Sequence, residues 1–217
     1  RCPIGVEEID IILRGGVHLG SYTTWAAGTG GSKSTAIAHA CATALLRRKN
    51  VLLAVLEMPK WEAWAKIIAN LTGVPLDAIR NSEAAGWGAL ASMRGKLGDL
   101  RIIKLEDPTP VSTIRAWRQR KQQQYGVPYD FVAVDGVDHL TSARHDPRNG
   151  SYELGRAVCA ELDDFAVGGP HGDDPIYLHV TSHIQRGKQW SAKATDGTRV
   201  PGKDDLADSK HRANKTH

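Results

Sequence analysis

Short apolar runs and longer amphipathic stretches alternate along the chain. Runs rich in β-branched residues fall at 22–27, 51–57, 100–105, 131–135 and 176–182, with Val51-Leu52-Leu53-Ala54-Val55 and Phe131-Val132-Ala133-Val134 uninterrupted by any polar residue. Strands buried on both faces read this way, because neither face needs polar alternation. Between them, 33–48 carries Ile37, Cys41, Ala44 and Leu45 at helical spacing, and 61–71, 111–125 and 152–167 continue the helical pattern. The alternation predicts an α/β fold: a mostly parallel central sheet flanked by helices. Residues 72–98 read as an extra helical excursion. Residues 187–217 are polar, with scattered Gly, Pro, Lys and Asp, and read as a long loop or tail.

At 217 residues and 41% hydrophobic content the chain suffices for one sizeable core, so 1–217 is read as a single domain. No apolar stretch approaches the roughly 18–20 residues of a membrane helix, and Arg1-Cys2-Pro3 does not open a signal peptide. A soluble, cytoplasmic protein with no membrane partner is expected. Cys2, Cys41 and Cys159 have no C-x-x-C spacing, which favours buried thiols in a reducing compartment over a metal or a disulfide scaffold. From Ile184 onward eight Lys and Arg stand against four Asp, which accounts for the whole net charge of +4. A segment facing a polyanion and a solvated tail are both compatible with that excess.

Between the first strand and the first long helix stands Ala27-Gly28-Thr29-Gly30-Gly31-Ser32-Lys33-Ser34-Thr35, where a P-loop belongs. Glycines let backbone N–H groups curl around a phosphate at a helix N-terminus whose dipole favours negative charge. Residues Gly28 to Thr35 would therefore line the nucleotide, with Lys33 at the β- and γ-phosphates and Ser34 on Mg²⁺. The strict pattern has Gly where this chain has Ala27 and Ser32. Ser32 is the weightier departure, because a side chain there crowds the phosphate or strains the backbone. The competing reading is a Gly-rich turn capped by Ser32.

Phe131-Val132-Ala133-Val134-Asp135 is an apolar strand ending in a carboxylate, the form of the acidic strand that supports Mg²⁺ in P-loop NTPases. Asp138 either assists or caps the following turn. A second buried strand delivers Glu57, a candidate to polarise the attacking water; the alternative is that it helps start the helix after Pro59. Tyr177-Leu178-His179-Val180-Thr181-Ser182-His183-Ile184-Gln185-Arg186 places His183 or Gln185 at a strand exit, where a polar group can touch a γ-phosphate.

With these segments in order, the chain resembles the ATPase domain of the DnaB-like replicative helicases, including the helicase halves of phage primase-helicases. Ile4-Gly5-Val6-Glu7-Glu8-Ile9-Asp10, with Gly15-Gly16 and Gly20, looks like the family's lead-in to the P-loop, which RadA-like and KaiC-like proteins share. Leu56-Glu57-Met58 is similar to the catalytic-glutamate motif. Asn70-Leu71-Thr72-Gly73-Val74-Pro75, Ser182-His183-Ile184-Gln185-Arg186 and Asp205-Leu206-Ala207-Asp208-Ser209 resemble further family segments.

The resemblance implies a RecA-like P-loop fold using ATP and Mg²⁺. It makes Lys33 and Ser34 the phosphate and metal ligands, Asp135 the metal support, Glu57 the base and His183 the γ-phosphate sensor, with Gln185 beside the nucleotide. It implies a homo-oligomeric, hexameric ring acting on single-stranded DNA in replication, with a primase or loader as further partner. Loops after Asp135 and after Arg186 would face the DNA, with Arg144, Arg148, Lys188, Lys193 and Arg199 as contacts and Trp190 as a stacking residue. Against the family pattern, the chain is expected to stop before the strands carrying an arginine finger and to lack an amino-terminal domain. The alternatives are a RecA-, RadA- or KaiC-like ATPase without unwinding, and a hydrolysis-impaired nucleotide- and DNA-binding module.

Overall fold

The apolar runs become the strands of one sheet, and the amphipathic stretches become its covers. The computed structural model describes residues 1–28, 30–145, 148, 150–169 and 172–183. In chain order the elements are α1 (Glu7–Ile12), β1 (Ser21–Ala27), α2 (Lys33–Leu46), β2 (Val51–Val55), α3 (Lys60–Thr72), α4 (Leu76–Asn81) and α5 (Glu83–Ala91). There follow β3 (Leu100–Lys104), β4 (Thr109–Pro110), α6 (Val111–Tyr125), β5 (Phe131–Asp135), a 3₁₀ turn (Val137–His139), β6 (Leu140–Thr141), α7 (Ser151–Val167) and β7 (Tyr177–His183).

Five strands pair in parallel in the order β1-β7-β5-β2-β3, and β4 pairs with β6 in a separate two-stranded ladder. Strand periodicity divides the interior in two. Val51, Leu53 and Val55 of β2 and Phe131 and Ala133 of β5 face one core with Ile37, Cys41 and Ala44 of α2 and Ile67 and Ile68 of α3. Their neighbours Leu52, Ala54, Val132 and Val134 face the other, with Ile114 of α6 and Leu162 and Phe165 of α7. Burial on both faces removes any need for polar alternation, so β2 and β5 are entirely buried.

The predicted α/β architecture is present, with local differences. The second strand stops at Val55, so Glu57 stands in the bend beyond it rather than in the ladder. The first long helix ends at Leu46, because Arg48 turns left-handed (φ 58°) and the Lys49 N–H closes back on the Ala44 carbonyl. The excursion at 72–98 resolves into α4 and α5. Helix α1 buries no residue and so lacks the apolar stripe by which a helix is recognised in sequence. All three cysteines are buried free thiols. Among the described residues no helix is long and apolar enough to cross a membrane. The tail at 187–217 lies outside the described residues.

Phe165 is fully buried and anchors α7 against the sheet. Phe165→Ala is expected to lower unfolding stability by about 3–5 kcal/mol, the usual cost of emptying an aromatic site, read as a reduced urea midpoint.

Candidate active site

Parallel register brings the carboxyl ends of four strands to one edge. Ala27 of β1 lies opposite His183 of β7, and Val55 of β2 opposite Asp135 of β5. The loops that leave these ends form the crevice in which open α/β sheets bind ligands. Strand β7 lies between β1 and β5, so it carries its side chains between the phosphate loop and Asp135.

The loop after β1 is tight. The Gly31 N–H donates to the Gly28 carbonyl at 3.0 Å, and a Cβ on Gly31 would lie 2.6 Å from the Ala27 Cβ and 2.9 Å from the Gly28 oxygen. Only glycine fits there. Ser32 is left-handed (φ 57°, ψ 21°), and its side chain makes no capping hydrogen bond, so the reading of Ser32 as a helix cap does not hold. Lys33 opens α2 and is buried; its Nζ donates to the Ala27 carbonyl at 3.1 Å and the Gly28 carbonyl at 3.4 Å, and lies 3.0 Å from His183 Nδ1. The ammonium thus lies against the loop at the start of a 14-residue helix, where a helix end favours anions. Gly28 and Gly30 belong to the same turn, and Thr35 is exposed on the first turn of α2. Thr29 lies outside the described residues.

Asp135 is 1% exposed. Its Oδ1 accepts from Ser34 Oγ at 3.2 Å and from Thr181 Oγ1 at 2.8 Å, while Thr181 Oγ1 accepts the Gly136 N–H at 2.7 Å. Its Oδ2 is buried with no hydrogen-bond partner. Burial raises the pKa of Asp135, against the lowering effect of its two hydroxyl donors. An orphaned carboxylate oxygen beside a serine hydroxyl suits a hard divalent cation, which takes one or two carboxylates and completes its shell with water and phosphate oxygens. Ser34 and Asp135 therefore fit Mg²⁺. Thr181 escaped the sequence reading, although a hydroxyl inside an otherwise buried strand is a usable signal.

Glu57 joins a chain of polar contacts across the crevice. Its Oε1 lies 2.9 Å from His183 Nε2 and 3.4 Å from His139 Nε2, and His139 Nδ1 lies 2.8 Å from Asp107 Oδ2. Lys33 and Glu57 thus sit on opposite nitrogens of the His183 ring. An ammonium can only donate and a carboxylate can only accept, so the bridge between them is made with Nδ1 accepting from Lys33 and Nε2 donating to Glu57. The alternative role for Glu57 is not seen: the position before α3 is Pro59, and α3 has no side-chain cap. Asp138 accepts the His183 N–H at 2.7 Å and the Ser182 hydroxyl at 3.2 Å, tying the 3₁₀ turn to the end of β7.

Of the residues predicted for DNA, Arg144 and Arg148 are described. Arg144 pairs with Asp164 of α7 at 3.3 Å, and Arg148 is exposed on the same loop. Gln185, Lys188, Trp190, Lys193 and Arg199 lie outside the described residues.

No protein-family model and no curated protein matches the chain. Solved structures do. A DnaB-like replicative helicase, solved to show its interactions with primase, superimposes with a TM-score of 0.66 at 16% identity, covering 91% of this chain. The chain has the fold of a RecA-like helicase ATPase domain. It spans about half (47%) of that helicase. A second helicase ATPase domain, solved on its own, gives a TM-score of 0.70 at 18% identity and covers 99% of this chain and 73% of its own length. At such identities the likeness is one of fold, and the chemistry has to be argued from the crevice itself.

Two predictions follow from the strain and the burial. Ser32→Gly relieves a left-handed non-glycine residue and should stabilise the chain by about 1 kcal/mol, raising Tm by about 2–4 °C in a thermal melt. Asp135 has a folded-state pKa above its unfolded value, so its ionisation costs stability at pH above the folded pKa, and the cost vanishes below the ordinary 3.8. Asp135→Asn should therefore raise the urea midpoint at pH 7, with the gain shrinking as pH falls toward 3.8.

Proposed function

We propose that the chain is the ATPase core of a DNA helicase or translocase, hydrolysing Mg-ATP and working as a hexameric ring on single-stranded DNA. The observation that carries the hydrolytic part is the convergence of Lys33, Ser34, Asp135, Glu57 and His183 at the sheet edge where β1, β2, β5 and β7 end. Phosphoryl transfer needs charge placed around the γ-phosphate and a nucleophile held in line, and this set contains each part.

In this reading the backbone N–H groups of the loop and the first turn of α2 bind the phosphates, and Lys33 leaves the Ala27 and Gly28 carbonyls for the β- and γ-oxygens. Ser34 and Asp135 would hold Mg²⁺, which would supply positive charge against the phosphates. Glu57 orients the attacking water and takes its proton. His183, bonded to both Lys33 and Glu57, gives up its Lys33 contact when the ammonium turns to phosphate, so its Nδ1 becomes free to respond to the nucleotide. Because Asp138 holds the His183 backbone, that response passes along β7 toward the segment beginning at 184, which carries Gln185, Lys188, Lys193 and Arg199. There the excess positive charge favours a nucleic-acid backbone, with Arg144 and Arg148 as further contacts. Replication in the cytoplasm of a bacterial or phage-infected cell, alongside a primase or loader, accords with the fold of the replicative helicase it matches.

Hydrolysis of ATP by the purified chain is expected to rise with added single-stranded DNA and to vanish in Lys33→Ala. Glu57→Gln should lower kcat by about 10²–10⁴-fold while leaving ATP binding in place. Hydrolysis that is indifferent to DNA would sink the motor reading, and strand-displacement assays separate a helicase from a non-unwinding relative.

A further inference from the structure

His139 has no part in the chemistry above, yet its surroundings are built for Glu57. The two-stranded ladder pairs Thr109 with Leu140 and Pro110 with Thr141. That ladder fastens the loop carrying Asp107 to the turn carrying His139, and the Asp107 carboxylate is held 2.8 Å from His139 Nδ1. Behind the pair stands Gly136 at φ 107°, where a Cβ would lie 3.1 Å from both Glu57 Cγ and His139 Cδ2. A side chain there would wedge Glu57 and His139 apart; glycine allows them to meet.

We propose that His139, anchored on Asp107, is a positioning residue for Glu57, holding its carboxylate in the orientation that activates water. The inference rests on the role of Glu57 given above. His139 lies between two carboxylates, Asp107 on Nδ1 and Glu57 facing Nε2. Both can only accept, so the ring serves both, Asp107 at 2.8 Å and Glu57 at 3.4 Å, only with a proton on each nitrogen. The charged groups facing it are Asp107, Glu57 and Asp138, all anionic; the Asp107 hydrogen bond above all raises its pKa over the ordinary 6.5. Glu57 is thus flanked by two imidazoles, His139 with its raised pKa and His183 with its contact to Lys33. As pH rises through the His139 pKa the Nε2 proton is lost and Glu57 is released on that side.

Histidine NMR on the full chain reads this contact directly. The His139 midpoint should lie above 6.5, and both Asp107→Asn and Glu57→Gln should bring it down. A midpoint at or below 6.5, or one that neither substitution moves, overturns the proposal. In ATP hydrolysis with single-stranded DNA, His139→Ala should lower kcat about 10–100-fold with KM unchanged within about twofold, and His139→Gln, which keeps an N–H donor, should recover part of the loss. The alkaline limb of the parent pH–rate profile should move to lower pH in Asp107→Asn and disappear in His139→Gln. If Glu57→Gln is inactive but His139→Ala keeps the parent kcat, the positioning role fails alone. If Glu57→Gln still turns over, the role of Glu57 fails as well.

Discussion

The polar groups of the crevice lie at the ends of parallel strands or in the segments that leave them, and the parallel register decides which groups meet. Ala27 lies opposite His183 and Val55 opposite Asp135, while Val134 lies opposite Val180, so β1 and β7 run past the ends of β2 and β5; His183 thereby reaches Lys33 and Glu57, and Asp135 stays below with Ser34 and Thr181. A slip of a single residue would turn each side chain to the other face of the sheet. What prevents it is the alternation of buried side chains between two separate cores, each of which β2 and β5 fill in turn. The apolar interior of these strands therefore specifies the geometry of the polar groups beyond them.

That geometry concentrates charge at the sheet edge, from the buried Asp135 to the exposed Glu57 and Asp107. Asp135 is buried with an unbonded oxygen, and Glu57, Asp138 and Asp107 stand around the same turn. Against them stand Lys33 and His139, whose pKa the Asp107 hydrogen bond raises. The two imidazoles that flank Glu57 differ in what meets their other nitrogen: an ammonium on His183 and a carboxylate on His139. An ammonium can only donate and a carboxylate can only accept, so one residue type is asked for opposite hydrogen-bonding roles within a few ångströms.

The apolar period made the sheet and its main helices legible, since it depends only on burial. The loop from Gly28 to Thr35 and the carboxylates Glu57 and Asp135 were legible because glycine content and strand-end position carry their own chemistry. Other features depend on contacts between segments far apart in sequence. His139 and Asp107 meet only because a two-stranded ladder joins their loops, and two-residue strands leave no periodic trace. Arg118 is likewise hidden: it occupies a polar position of α6, yet its guanidinium is buried and its Nε donates to the Tyr129 carbonyl at 2.8 Å. Thr181 could be suspected from the sequence, but that it bridges Asp135 and Gly136 is a fact of register alone.

Ser32 shows how local strain and a binding surface are tied. A left-handed residue immediately before Lys33 is what turns the chain into α2, so the conformation cannot relax without moving the start of that helix, where the proposed phosphate site lies. A serine held there costs about 1 kcal/mol relative to a residue free of the Cβ clash, and a β-branched residue would cost more. The strain is sustained because Ala38, Ala40, Cys41 and Ala42, all buried, hold α2 against the sheet and over-determine where its first turn must start. A rigid core thus maintains an unfavourable dihedral at the position where, in the proposed role, the backbone meets a phosphate.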